Sequence, residues 1–222
     1  IAGELTKIGI NLNLAPVADL ASDQNPSYAM RCLGSDADGV ADLLDDFVSG
    51  MREGGLSVTL KTFPGIGNVS ADVTESIAEN TDSLMTIRDT NFVPYASGIQ
   101  AGADCVMVSN VAYSKLTVKK VPAFMSQDIV TKLLREELGF DGIVMTSPLN
   151  DNVIENNYTN EFAVVEAVKA GCDLIVLPGN FKECYEALIT AVEEGRIGEK
   201  VINTSVRRIL QNKIQRGILV LE

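Results

Sequence analysis

The sequence predicts an α/β fold built on a parallel sheet. Near-continuous apolar runs of strand length recur along the chain, and segments with apolar residues at helical spacing separate them. With 222 residues and 46% hydrophobic content, the chain can bury one substantial core. Strands that are apolar on both faces need cover on both sides, which the crossover helices between parallel strands provide.

The elements follow in order. "GINLNLAPVADL" (Gly9–Leu20) opens with alternating apolar residues and runs into a loop bearing proline. "DADGVADLLDDFVSGMREGG" (Asp36–Gly55) carries apolar residues at helical spacing, and Gly54 and Gly55 stop it. "LSVTLKTF" is the next strand, and a long polar segment leads to a helix around "RDTNFVPYASGIQAG", with Pro94 near its first turn. "ADCVMVSNV" is a buried strand, and "SQDIVTKLLREELG" an amphipathic helix with Ser126 as N-cap. Then come strand "GIVMTSPL", helix "EFAVVEAVKAG", strand "CDLIVLPG", helix "FKECYEALITAVEEG" and a last helix over "EKVINTSVRRILQNKIQRG". The five strands lie near residues 10–15, 56–60, 104–109, 142–147 and 173–178. A closed barrel needs eight strands in about 250 residues; five could also make an open doubly wound sheet. No GxGxxG or GxxxxGK[ST] turn follows any strand, so nucleotide binding has no support.

The net charge of −12 argues against nucleic acid or an anionic membrane surface as partner, because the protein's own field repels both. No apolar run approaches the ~20 residues of a membrane span. The chain begins at Ile1 in what reads as the last turns of a helix, which points to a fragment or a processed product; compartment stays open. Cys32, Cys105, Cys172 and Cys184 are widely spaced, with no CxxC pair, and Cys105 and Cys172 read as buried free thiols at strand entrances. The chain has no histidine, which removes the commonest general acid/base and metal ligand. A Ser-His-Asp triad, a Cys-His dyad and a histidine-ligated metal are therefore excluded within this chain.

The stretch "KTFPGIGNVSADVTES" (Lys61–Ser76) has the frame of a catalytic loop without its usual residues. It resembles the KHFPGHG…D-S-H loop of glycoside hydrolase family 3, in its β-N-acetylhexosaminidase branch. "GINLNLAPVADL" is similar to the family's GIN-x-N-x-APV-x-D strand, and "MRCLGSD" to its N-R-S-F-G-S-D segment. "VPAFMSQDIVTKLLREELGFDGIVMTSPL", "AVKAGCDLIVLPG" and "AVEEGRIGEKVINTSVRRIL" resemble later stretches, so the likeness spans nearly the whole chain in order. It implies an incomplete (β/α)8 TIM-barrel-type domain of about five βα units. Residues 1–222 would be its C-terminal portion, with the N-terminal strands absent from this chain. An open edge then has to be covered, by an upstream barrel segment, by another subunit or in some other way.

Retaining glycosidases use a nucleophilic carboxylate and an acid/base on either side of the scissile bond. The resemblance puts the nucleophile at Ser147 and the acid/base at Thr74, with Asp72 as the carboxylate that would orient it. The two histidines of KHFPGHG become Thr62 and Ile66, and a later strand-end histidine becomes Asn110. Neither serine nor threonine has a useful proton affinity near neutrality. Two polar contacts survive: Arg31 and Lys61 correspond to residues that hold sugar hydroxyls in the family, although alone they read as a surface charge and a strand-end ion pair. Thr62 and Asn110 join them as candidate substrate contacts. Asp19 is expected to be structural, while Pro64, Gly65 and Gly67 preserve the turn. Asp151 and Glu75 are the carboxylates nearest to a displaced catalytic role, and a solvated loop position is the ordinary reading of both.

Three functions follow. The first is a catalytically silent family 3 barrel that binds an N-acetylated sugar or glycan, or acts as a scaffold or partner-binding module. The second is an active β-N-acetylhexosaminidase or β-glycosidase using displaced carboxylates, and the third a purely structural domain. An open pocket would favour the first over the third. No cofactor or metal is expected.

Overall fold

The computed structural model describes residues 1–67, 69–70, 72–118 and 120–220. Asn68 and Ala71, within the Lys61–Ser76 stretch, lie outside the described residues.

The main sheet contains β1 (Leu12–Asn13), β2 (Ser57–Phe63), β4 (Cys105–Val108) and β6 (Ile143–Thr146), adjacent in that order and all parallel. Thr59 registers with Cys105, which registers with Ile143, so β4 and β6 start level with the third residue of β2. A second, two-stranded parallel sheet joins β3 (Glu79–Asn80) to β5 (Ala112–Tyr113). Its strands are two residues long and carry no periodicity, so the sequence does not announce them.

The fifth expected strand is a correction. Residues 173–178 run beside β6 but form only the isolated bridge Met145–Leu174. The Val176 N–H donates to Thr146 Oγ1 at 3.0 Å rather than to a backbone carbonyl, and the ladder breaks there. Among the described residues the sheet is open, bounded by β1 and by this segment.

The helices are α1 (Ala2–Lys7), α2 (Pro26–Ala29), α3 (Ala37–Glu53), α4 (Leu84–Asp89), α5 (Phe92–Gln100), α6 (Asn152–Glu155), α7 (Asn160–Ala170), α8 (Phe181–Glu193) and α9 (Glu199–Gln215). Asp36 caps α3 by accepting from Gly39 N at 2.8 Å, and Val40, Leu44, Val48 and Met51 form the stripe it buries. The single helix expected near residues 88–102 is divided into α4 and α5 at Thr90 and Asn91, and Pro94 sits in the first turn of α5, where its missing N–H costs nothing. Gly98 lets α5 lie close on β2: a Cβ there would come within 2.8 Å of the Leu60 side chain. The expected helix after Ser126 is present as Asp128–Glu137 but wound as a π-helix, with Gln127 at the cap and Ser126 Oγ 3.4 Å from Ile129 N.

Most of the apolar core lies between the sheet and its surrounding helices. The opposite face of β4 and β6 contributes Cys105, Met107, Ile143 and Met145, which Ile209 of α9 partly covers. Burial pushes the Cys105 thiol up to about 12 and raises Cys172 as well, so both are inert free thiols. No residue of α9 is fully buried, and polar latches hold it. Arg208 reaches Asp173 at 3.1 Å, Asn212 reaches Asp104 at 3.1 Å, and Arg216, just past the helix, reaches Asp104 at 2.6 Å.

Candidate functional site

A polar constellation gathers at the carboxyl ends of the strands, where side chains leave the sheet unpaired and can turn toward a ligand. Lys61 and Thr62 stand near the end of β2, Asn110 just after β4, and Ser147 directly after β6. Together with Arg31 and Thr74 they line one cavity of about 310 Å3. Met107, Val176 and Leu177 give the same cavity an apolar side. Asp72 lies instead on an adjoining cavity of about 450 Å3, which shares Tyr28, Arg31 and Thr74 with the first.

Asp19 supports the floor. It is buried, accepts hydrogen bonds from Tyr28 Oη at 2.5 Å, Tyr95 Oη at 3.0 Å and Thr62 Oγ1 at 2.8 Å, and accepts from Thr62 N. Burial raises its pKa, although these donors pull the other way. The expectation of a structural role agrees with this geometry. Tyr28 and Tyr95 were not singled out from the sequence, because nothing local marks a tyrosine that meets Asp19, nine positions away for Tyr28 and 76 for Tyr95.

Arg31 lies over the Tyr28 ring, 5.3 Å from its centroid, and no carboxylate among the described residues is within ion-pair distance of it. Lys61 is half-buried and likewise unpaired among the described residues, which departs from the strand-end ion pair that its position alone suggests. Burial, and then the Arg31 charge, hold the ammonium below its ordinary pKa, with Asp19 opposing.

The two residues expected at the nucleophile and acid/base positions each have a hydrogen-bond partner. Ser147 Oγ donates to Val108 O at 2.9 Å, and Thr74 Oγ1 donates to Asp72 at 2.7 Å. The Thr74 hydroxyl and N–H hold the Asp72 carboxyl below the usual carboxylate range. The loop is tied down from the far side: Val153 N donates to Thr74 O at 2.7 Å, and Asn152 Nδ2 to both Glu75 oxygens at 2.9 Å. Asp151 accepts from Asn110 Nδ2 at 3.0 Å, and burial, followed by the charges of Asp72 and Glu75, raises its pKa. It therefore lines the cavity as a partner of Asn110, whereas Glu75 stays outside it. The buried Asn110 Oδ1 has no hydrogen-bond partner among the described residues.

The turn between Lys61 and the loop depends on Gly65, whose φ is +103° and whose carbonyl accepts from Tyr113 Oη at 2.8 Å. Ile66, 2% exposed, lies on the wall of the cavity. A Cβ on Gly65 would lie 2.4 Å from Asn91 Nδ2. Gly65→Ala is therefore expected to cost about 1–3 kcal/mol, read as a lower urea midpoint at unchanged slope.

A parallel α/β sheet with a polar cavity over its carboxyl-terminal edge defines the class: an α/β domain of barrel type with its site at the strand ends. The chain belongs to glycosyl hydrolase family 3, whose N-terminal domain model matches residues 1–212. A β-hexosaminidase of Xylella fastidiosa is 31% identical over 219 residues, 99% of this chain and 62% of that protein. The solved family 3 β-N-acetylglucosaminidase of Paenibacillus sp. str. FPU-7 superposes with a TM-score of 0.94 at 34% identity, covering 100% of this chain and 44% of that one. The β-N-acetylhexosaminidase of Beutenbergia cavernae superposes at 0.87 with 32% identity, over 96% of this chain and 65% of that one. The chain thus spans less than two thirds of these relatives, and its α/β fold is that of their TIM-barrel-like domain.

Proposed function

We propose that this β-N-acetylhexosaminidase-like domain, the C-terminal portion of a single family 3 barrel, binds a sugar without cleaving it. The observation that carries this is the chemistry at the two strand-end and loop positions: Ser147 and Thr74 each spend their hydroxyl proton on a neighbour, and neither can act as nucleophilic carboxylate or acid/base. The open cavity supports a binding role over a purely structural one, since polar Arg31, Lys61, Thr62 and Asn110 face the same space.

A second reading, residual hydrolysis with Asp151 as a displaced acid, draws on one observation. The Asp151 carboxyl lies on the cavity and holds its proton above the ordinary carboxylate pKa. It would still need a second carboxyl about 5–5.5 Å away across the sugar.

The test is calorimetric titration with N-acetylglucosamine beside hydrolysis of a chromogenic N-acetyl-β-glucosaminide on the same sample. Binding without turnover is expected, with affinity falling about tenfold in Arg31→Ala as a charge-assisted hydrogen bond is lost. Turnover that disappears in Asp151→Asn would establish the second reading instead.

A further inference from the structure

We draw no further inference here: the strongest candidate, the exposed apolar stripe of Phe181, Tyr185 and Ile189 along α8, carries nothing because no feature of the structure shows what covers it.

Discussion

Asp104→Ala is expected to lower the unfolding free energy by about 3–5 kcal/mol, the cost of stripping a buried charge network of its centre. Asp104 directly precedes β4 and is 6% exposed. It accepts from Arg52 at 3.0 Å, from Arg216 at 2.6 and 2.7 Å, from Asn212 at 3.1 Å and from Val58 N at 3.0 Å. One carboxylate thus ties β2, β4, α3 and the end of α9 together. Removing it leaves Arg216, only 9% exposed at its side chain, with a desolvated charge, whereas Arg52 at 35% can turn to water. Asp104→Asn should lose less, because an amide oxygen still accepts from Val58 N. Urea unfolding followed by far-UV circular dichroism measures the difference. A loss under about 1 kcal/mol in the alanine variant would mean that Arg216 escapes to solvent and that the network stabilises little.

Asp19→Ala is the second large effect and bears on the site. It orphans the Tyr95 hydroxyl, buried at 0% exposure, and the Thr62 N–H, while the Tyr28 hydroxyl keeps Thr62 Oγ1 at 3.1 Å. Each buried donor left alone costs about 1–3 kcal/mol, and partial relaxation brings the expected total to about 2–4 kcal/mol. Since Tyr28 and Thr62 line the cavity, ligand affinity should fall with stability, whereas a change in the core distant from it should affect stability alone.

The same residue sets a pH dependence whose sign is fixed. The folded pKa of Asp19 lies above the unfolded value of 3.8, so the folded state holds the proton to higher pH. The stability contributed by this proton is full below pH 3.8 and is lost as pH rises through the folded pKa. Asp19→Asn cannot titrate. The stability of the wild type relative to this variant should therefore increase as the pH is lowered from neutrality toward 4 or so, read from urea midpoints at each pH. A difference independent of pH would show that Asp19 has no raised pKa in the folded state.

The alternation of strand and helix was legible because burial imposes periodicity on each segment separately. β4 and β6 are buried at all four of their positions and read as unbroken apolar runs, and the stripe of α3 lies on one helical face. The fifth strand was misread because its apolar run has the right composition, while pairing depends on what β6 offers across the gap; the Thr146 hydroxyl takes the N–H that a ladder would need. The winding of Asp128–Glu137 was not legible either, since its buried residues Ile129, Val130, Leu133 and Leu134 recur at the ordinary helical spacing of four.

By itself, the sequence determined the residue types available for chemistry. Without a histidine, and with Thr62, Ile66, Thr74, Asn110 and Ser147 at their positions, the proton affinities on offer follow from composition and need no coordinates. Membership of glycosyl hydrolase family 3 was likewise carried by ordered local motifs. Only the tertiary structure decided which groups meet. It joined Asn110 to Asp151 across 41 positions and Thr62 to Asp19 across 43, and brought Arg31 and Lys61 to one cavity. The physical reason is that local periodicity records whether a residue is buried, whereas strand register and loop closure determine against what.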